Sequence, residues 1–129
     1  MNGFALAAGL LTLAAFGAHA FVGAREFRLF APRIDAGKPR TVWVQGLAGW
    51  HWVSVDLLAS AVLLLLIALT AWLPDESTVL LVLSGYFALT GLAWLSTLIL
   101  AGRGVPNRYL ALGQWLFCFV VAGLAWLAR

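Results

Sequence analysis

Residues 53–73, VSVDLLASAVLLLLIALTAWL, contain a single charged side chain, Asp56. A run of about 20 predominantly apolar residues is what a helix needs to cross the hydrocarbon core of a bilayer. Hydrophobic residues make up 64% of the 129 residues and charged residues only 10%, and a soluble fold of this length could not bury so much apolar surface. The stretch therefore predicts a membrane-spanning helix, and the composition predicts that the whole chain belongs to a membrane.

Three further apolar stretches resemble this one, which predicts an all-α membrane protein with four transmembrane helices in a single bundle. We expect the helices at about residues 3–24, 42–73, 78–101 and 109–128, forming one domain over residues 1–129. The second stretch is too long for a simple crossing. We therefore divide it into a tryptophan-rich interfacial part, residues 42–52, and a membrane core, residues 53–73.

The basic residues predict how the chain is oriented. All of the eight Lys and Arg residues except Arg129 fall in two segments, residues 25–40 and 102–108, which lie on the same side if all four helices span. The positive-inside rule places both segments in the cytoplasm and both termini outside it, as expected for a bacterial inner-membrane protein. This charge is not the footprint of nucleic-acid binding, because it lies next to membrane segments where it sets topology. The residues predicted to hold a lipid headgroup or another anion are Arg25, Arg28, Arg103 and Arg108.

Polar side chains from all four predicted helices fall at a similar depth. Counted at about 1.5 Å per residue, most of them lie on the order of 5–8 Å below the cytoplasmic interface. Ionisable groups in a membrane are costly and therefore point to function. The sequence thus predicts a shallow polar pocket that opens to the cytoplasm, lined by His19, Glu26, His51, Asp56, Thr97 and Gln114.

Each of these residues also has a structural explanation. His19 can hydrogen-bond a carbonyl or Asp56, and Asp56 is shallow enough to pair with an arginine of the first basic segment. Gln114 can join two helices, and Thr97 can donate to a carbonyl of its own helix. His51 lies between Trp50 and Trp52 and suits the headgroup region.

Three hypotheses about function follow, and none is supported by a complete catalytic motif. The first is a lipid or small-molecule binder or an accessory subunit, acting as a homo-oligomer or within a larger membrane complex. The second is a haem or metal site that uses His19 and His51. The third is an enzyme acting on a lipid or isoprenoid, with His19 and Asp56 as an acid–base pair. The first fits best, and the sequence does not identify a cofactor.

Two resemblances accompany these hypotheses. Residues 19–26, HAFVGARE, together with the Trp50-His51 pair, resemble a loose group of bacterial four-helix inner-membrane proteins that have no assigned activity. This resemblance implies the four-helix fold and no particular function. In architecture alone, the chain is similar to the membrane-associated proteins of eicosanoid and glutathione metabolism. That family carries an Arg…Asn…Glu pattern early in its second helix, where this chain has His51 and Asp56, so glutathione chemistry is not expected.

Overall fold

The protein is described by a computed structural model over residues 1–32 and 37–129. Helices account for 84% of the structure, and the described residues contain no strand. We number the helices in chain order: α1 is Gly3–Arg28, α2 is Lys38–Leu69, α3 is Glu76–Ala101, α4 is Arg108–Ala111 and α5 is Gln114–Leu127. A short 3₁₀ turn, Gly102–Gly104, follows α3.

Three of these helices, α1, α2 and α3, are long and apolar enough to cross a membrane. Only 22–33% of their most apolar windows is buried inside the structure, so most of this apolar surface faces outward. An exposed apolar surface of this extent is typical of contact with lipid and indicates a multi-pass membrane protein. The helix α5 is shorter: its 14 residues extend about 21 Å, which is less than the roughly 30 Å of a hydrocarbon core.

The boundaries of α1 and α2 differ from those expected from sequence. The helix α1 continues through Arg28, and α2 begins at Lys38, so the connection between them is shorter than the predicted basic segment. Pro39 lies in the first turn of α2, where the N–H that proline lacks has no intrahelical partner. Arg33, also part of that predicted segment, lies outside the described residues.

The helix α2 is one continuous helix across the expected interfacial part and the expected membrane core. It runs without a break through Gly46 and Gly49, and it ends at Leu69 instead of residue 73. Hydrogen bonds to the carbonyl of Leu66 come from both the backbone N–H and the side-chain hydroxyl of Thr70, which close the last turn. Asp75 caps the start of α3, because its carboxylate accepts the backbone N–H of Thr78 at 3.1 Å.

The chain divides into two compact units, and the first comprises Met1–Ala8 and Leu64–Arg129. Within it, α3 and α5 pack closely. A Cβ added at Gly91 would lie 3.2 Å from the Cβ of Cys118, and the buried Ser84 hydroxyl donates to the carbonyl of Ala122 at 2.9 Å. Small residues and interhelical hydrogen bonds matter here because the hydrophobic effect does not distinguish helix from lipid inside a membrane.

Asn2 connects three parts of the first unit. Its side-chain oxygen accepts the N–H of Ala5 at the start of α1, and its side-chain nitrogen donates to the carbonyl of Ala128. Its backbone N–H donates to the carbonyl of Ala68 near the end of α2. An open groove of about 660 Å³ lies beside it, lined by Met1, Asn2, Ile67, Ala68, Leu69, Thr70, Ala71 and Glu76.

The predicted helix at residues 109–128 is interrupted after α4. The break occurs at Leu112 and Gly113, and it removes helical hydrogen bonds from nearby carbonyls. Two indole N–H groups replace them, because Trp94 donates to the carbonyl of Leu112 at 3.1 Å and Trp115 donates to that of Tyr109 at 2.9 Å. The tryptophans therefore satisfy backbone groups that would otherwise be costly to leave unpaired.

Candidate functional site

The second unit, Gly9–Leu63, contains a continuous stack of planar side chains between α1 and α2. The rings of His19 and Trp50 are parallel, with centroids 4.2 Å apart and an interplanar angle of 10°. Trp50 stacks on Phe27 at 5.3 Å, Phe27 stacks on Trp43 at 6.3 Å, and the guanidinium of Arg40 lies 4.8 Å from the Trp43 centroid. We call these five residues the aromatic column.

A π-helical turn in α1 places two members of the column on one face. Residues Ala18–Gly23 form this turn, in which the N–H of Ala24 donates to the carbonyl of His19. In a regular α-helix two turns take about seven residues, so His19 and Phe27, eight apart, would not be aligned. Because the π-turn contains one extra residue, two turns take about eight, and both rings reach the same side of the helix.

The ring of His19 is held by three contacts with α2. Its Nδ1 lies 3.0 Å from the hydroxyl oxygen of Ser54, and its ring stacks on Trp50. The indole N–H of Trp50 donates to the carbonyl of His19 at 3.1 Å. Such a second donor suits a carbonyl at a π-turn, where the helical hydrogen bonds are rearranged.

Two glycines allow α1 and α2 to approach closely. A Cβ at Gly23 would lie 2.5 Å from a ring carbon of Trp50, which real Cβ atoms do not reach. At Gly46, a Cβ would lie 3.1 Å from the ring of Phe27. The glycines thus make room for the rings of the opposite helix, and each ring occupies the space where a side chain would otherwise be.

Basic residues lie close in sequence to two members of the column, Phe27 and Arg40. Arg25 and Arg28 are exposed in the last turns of α1, and Lys38 is exposed at the start of α2. The indole nitrogen of Trp43 is buried without a hydrogen-bond partner in the described part of the chain. A buried donor of this kind, with the guanidinium of Arg40 over the same ring, provides chemistry suited to an anion.

The structure distributes the predicted pocket residues over both units. His19 is half-buried in the column, whereas Glu26, His51 and Asp56 are exposed in the second unit. Thr97 and Gln114 are exposed in the first unit. The hydroxyl of Thr97 donates to the carbonyl of Ala93 at 3.0 Å, which confirms the expected hydrogen bond to its own helix.

His19 and Glu26 do not share a face of α1. They are seven residues apart and would share a face of a straight α-helix, but the extra residue of the π-turn rotates Glu26 by about 100°. His51 and Asp56 are five apart on the uninterrupted α2, so about 140° separates them.

The four arginines predicted to bind anions also divide between the units. Arg25, Arg28 and Arg103 are exposed. Arg108 is half-buried, with its guanidinium 4.9 Å from the ring centroid of Tyr109. Within residues 1–32 and 37–129, His, Cys, Asp and Glu do not form a group of three that could hold a metal ion.

The spacing of residues along the sequence indicates part of the aromatic column. The estimate of each residue's depth in the membrane did not use this spacing. His19, Gly23 and Phe27 recur every four residues, and Trp43 and Trp50 are seven apart. The second spacing places both tryptophans on one face of α2. The first spacing becomes a single face only with the π-turn, which has no clear sequence signal.

Comparison of the chain with protein-family models, curated proteins and solved structures finds no match.

Proposed function

We propose that this chain is a bacterial inner-membrane protein that crosses the bilayer four times, with both termini outside the cytoplasm. The fourth crossing consists of α5 together with α4 and the break between them, because α5 alone extends only about 21 Å of the roughly 30 Å hydrocarbon core. The two basic segments then lie in the cytoplasm, as the positive-inside rule requires.

At this cytoplasmic side the protein binds an anionic lipid headgroup, without catalysing a reaction. The observation that carries this proposal is the basic end of the aromatic column. Arg25, Arg28 and Lys38 each lie within two residues of a member of the column, and Arg40 lies over Trp43. The buried Trp43 N–H lacks a partner among the described residues. Juxtamembrane Lys and Arg residues attract anionic lipids by about 1 kcal/mol each, and indole N–H groups are well suited to the headgroup region.

Lipid analysis of the purified protein tests this function. In mild detergent, we expect retained lipid to be enriched in anionic species over the membrane from which it came. The double variant Arg25→Gln/Arg28→Gln should lower this enrichment on the order of tenfold, because two attractive charges are lost.

The matched control is Arg129→Gln, which removes an exposed arginine that lies over Trp126, outside both basic segments. Its lipid profile should equal that of the wild type. Equal loss in both variants, or a wild-type profile that matches the bulk membrane, would refute headgroup binding at the column.

A further inference from the structure

The open groove beside Asn2 carries a negative side-chain charge. Its lining includes Glu76, whose carboxylate forms no hydrogen bond or ion pair within residues 1–32 and 37–129. No ion pair joins this carboxylate to the amino group of Met1, which also lines the groove. Among the described residues of the lining, none is Lys, Arg or His. The groove therefore offers an unpaired anion to any cation that enters it.

The end of α2 adds hydrogen-bond acceptors to the same groove. Three lining residues, Ile67, Leu69 and Ala71, have backbone carbonyls that accept no hydrogen bond in the described part of the chain. The hydroxyl of Thr70, a fourth lining residue, donates its one hydrogen to the carbonyl of Leu66, so its oxygen can otherwise only accept. The C-terminal end of a helix also carries a partial negative charge. These groups suit a cation that donates several hydrogen bonds.

The groove lies where lipid headgroups are expected. Its residues come from the start of α1, the end of α2 and the start of α3, which are the three helices long and apolar enough to cross a membrane. Trp72 follows the end of α2 and is 81% exposed, and such rings favour the membrane interface. The volume of about 660 Å³ is that of a site for an organic group rather than for a single metal ion.

We propose that this groove binds the primary ammonium of a zwitterionic phospholipid headgroup, as in phosphatidylethanolamine. Glu76 is the counter-ion, and the free carbonyls at the end of α2 accept the remaining N–H donors. The trimethylammonium of phosphatidylcholine has the same charge but no N–H, so it leaves these acceptors unpaired. This site does not depend on anion binding at the aromatic column, whose residues belong to the other unit.

A matched pair of lipids tests the site. Phosphatidylethanolamine and phosphatidylcholine with identical acyl chains are added at equal concentration to the detergent-solubilised protein, and native mass spectrometry measures the ratio of the bound species. The wild type should prefer phosphatidylethanolamine about tenfold, the effect of a hydrogen bond between charged groups. Equal binding of the two lipids would overturn the proposal, and this comparison needs no variant.

The variant Glu76→Gln keeps an acceptor but removes the charge, so the preference should fall to about twofold or less. The matched control is Glu26→Gln, which removes an exposed carboxylate in the other unit and should keep the full preference. An equal loss in both variants would overturn the role of Glu76. Excess free ethanolamine should leave the bound lipid in place; its complete displacement would show that a soluble amine, and not a lipid headgroup, is the ligand.

Discussion

At the scale of residues, Trp50 is the centre of the aromatic column. One face of its indole stacks on His19, its N–H donates to the His19 carbonyl, and its ring also approaches Gly23 and Phe27. A tryptophan at a membrane interface is usually explained by its amphipathic ring alone. Here it also holds a histidine in one orientation, so the residue both anchors the helix and shapes the candidate site.

Gly23→Ala should destabilise the protein because the added Cβ would lie 2.5 Å from the Trp50 ring. Overpacking of this kind costs about 1–3 kcal/mol. We expect a clearly lower melting temperature in detergent, measured by tryptophan fluorescence. The control is Gly17→Ala, six residues earlier in α1, where no atom lies within 4 Å of the new Cβ. Its melting temperature should stay the same or rise, since alanine favours helix; an equal loss in both variants would contradict the close approach.

At the scale of elements, local irregularities decide where polar groups lie. The π-turn aligns His19 with Phe27 and turns Glu26 away. At the interruption between α4 and α5, the indole N–H groups of Trp94 and Trp115 donate to backbone carbonyls that lack helical partners. In both places a tryptophan donates to a backbone carbonyl near the irregularity. Inside a membrane such carbonyls need a donor from the protein, because no water is present to supply one.

The stability of the hydrogen-bonded cap at the start of α3 should depend on pH. Hydrogen bonds from the side chain and backbone N–H of Thr78 hold the pKa of Asp75 below its ordinary value. A lowered folded pKa means that the cap is at full strength above the ordinary value, near pH 4, and is lost as pH falls further through the folded pKa.

Hydrogen exchange of the Thr78 amide, corrected for the intrinsic rate at each pH, measures this loss of the cap. Protection should be constant down to about pH 4 and decrease below it. Asp75→Asn keeps an acceptor at the cap without a titrating group, so its protection should not change with pH. Protection of the wild-type amide that persists to pH 2 would show that the charge does not matter.

At the scale of the whole molecule, the number of crossings decides the topology. Three helices meet the length and composition needed to span a membrane, and α5 is shorter. With three crossings the chain ends would lie on opposite sides, and with four they lie on the same side. Both basic segments lie on the same side with either number of crossings, so the positive charges orient the chain but do not decide between three and four.

Thiol labelling checks this topology in a Cys118→Ala background, which removes the single, buried cysteine. We would introduce Ser77→Cys, Gly104→Cys and Arg129→Cys separately, all at exposed positions. In intact cells a membrane-impermeant maleimide should label positions 77 and 129 but not 104, because four crossings place the first two outside. Labelling at 77 alone would show that α5 does not cross, and labelling at 104 would reverse the orientation.

The sequence by itself determined that the chain is helical and apolar enough for a membrane, and about where its long helices lie. These properties depend on composition and on runs of about 20 residues, which are local. It also identified His19 as a polar residue within the first apolar stretch. Its prediction of four crossings and of an extracytoplasmic position for both termini stays a prediction.

Only the tertiary structure decided what surrounds His19. Counting depth along straight helices grouped His19 with Asp56, Thr97 and Gln114. The structure instead provides Trp50 and Ser54 as its partners. The reason is physical: one extra residue in a helical turn rotates everything after it by about 100°. A side chain's neighbours depend on that rotation and on where glycines let two helices meet, and neither can be obtained from hydropathy.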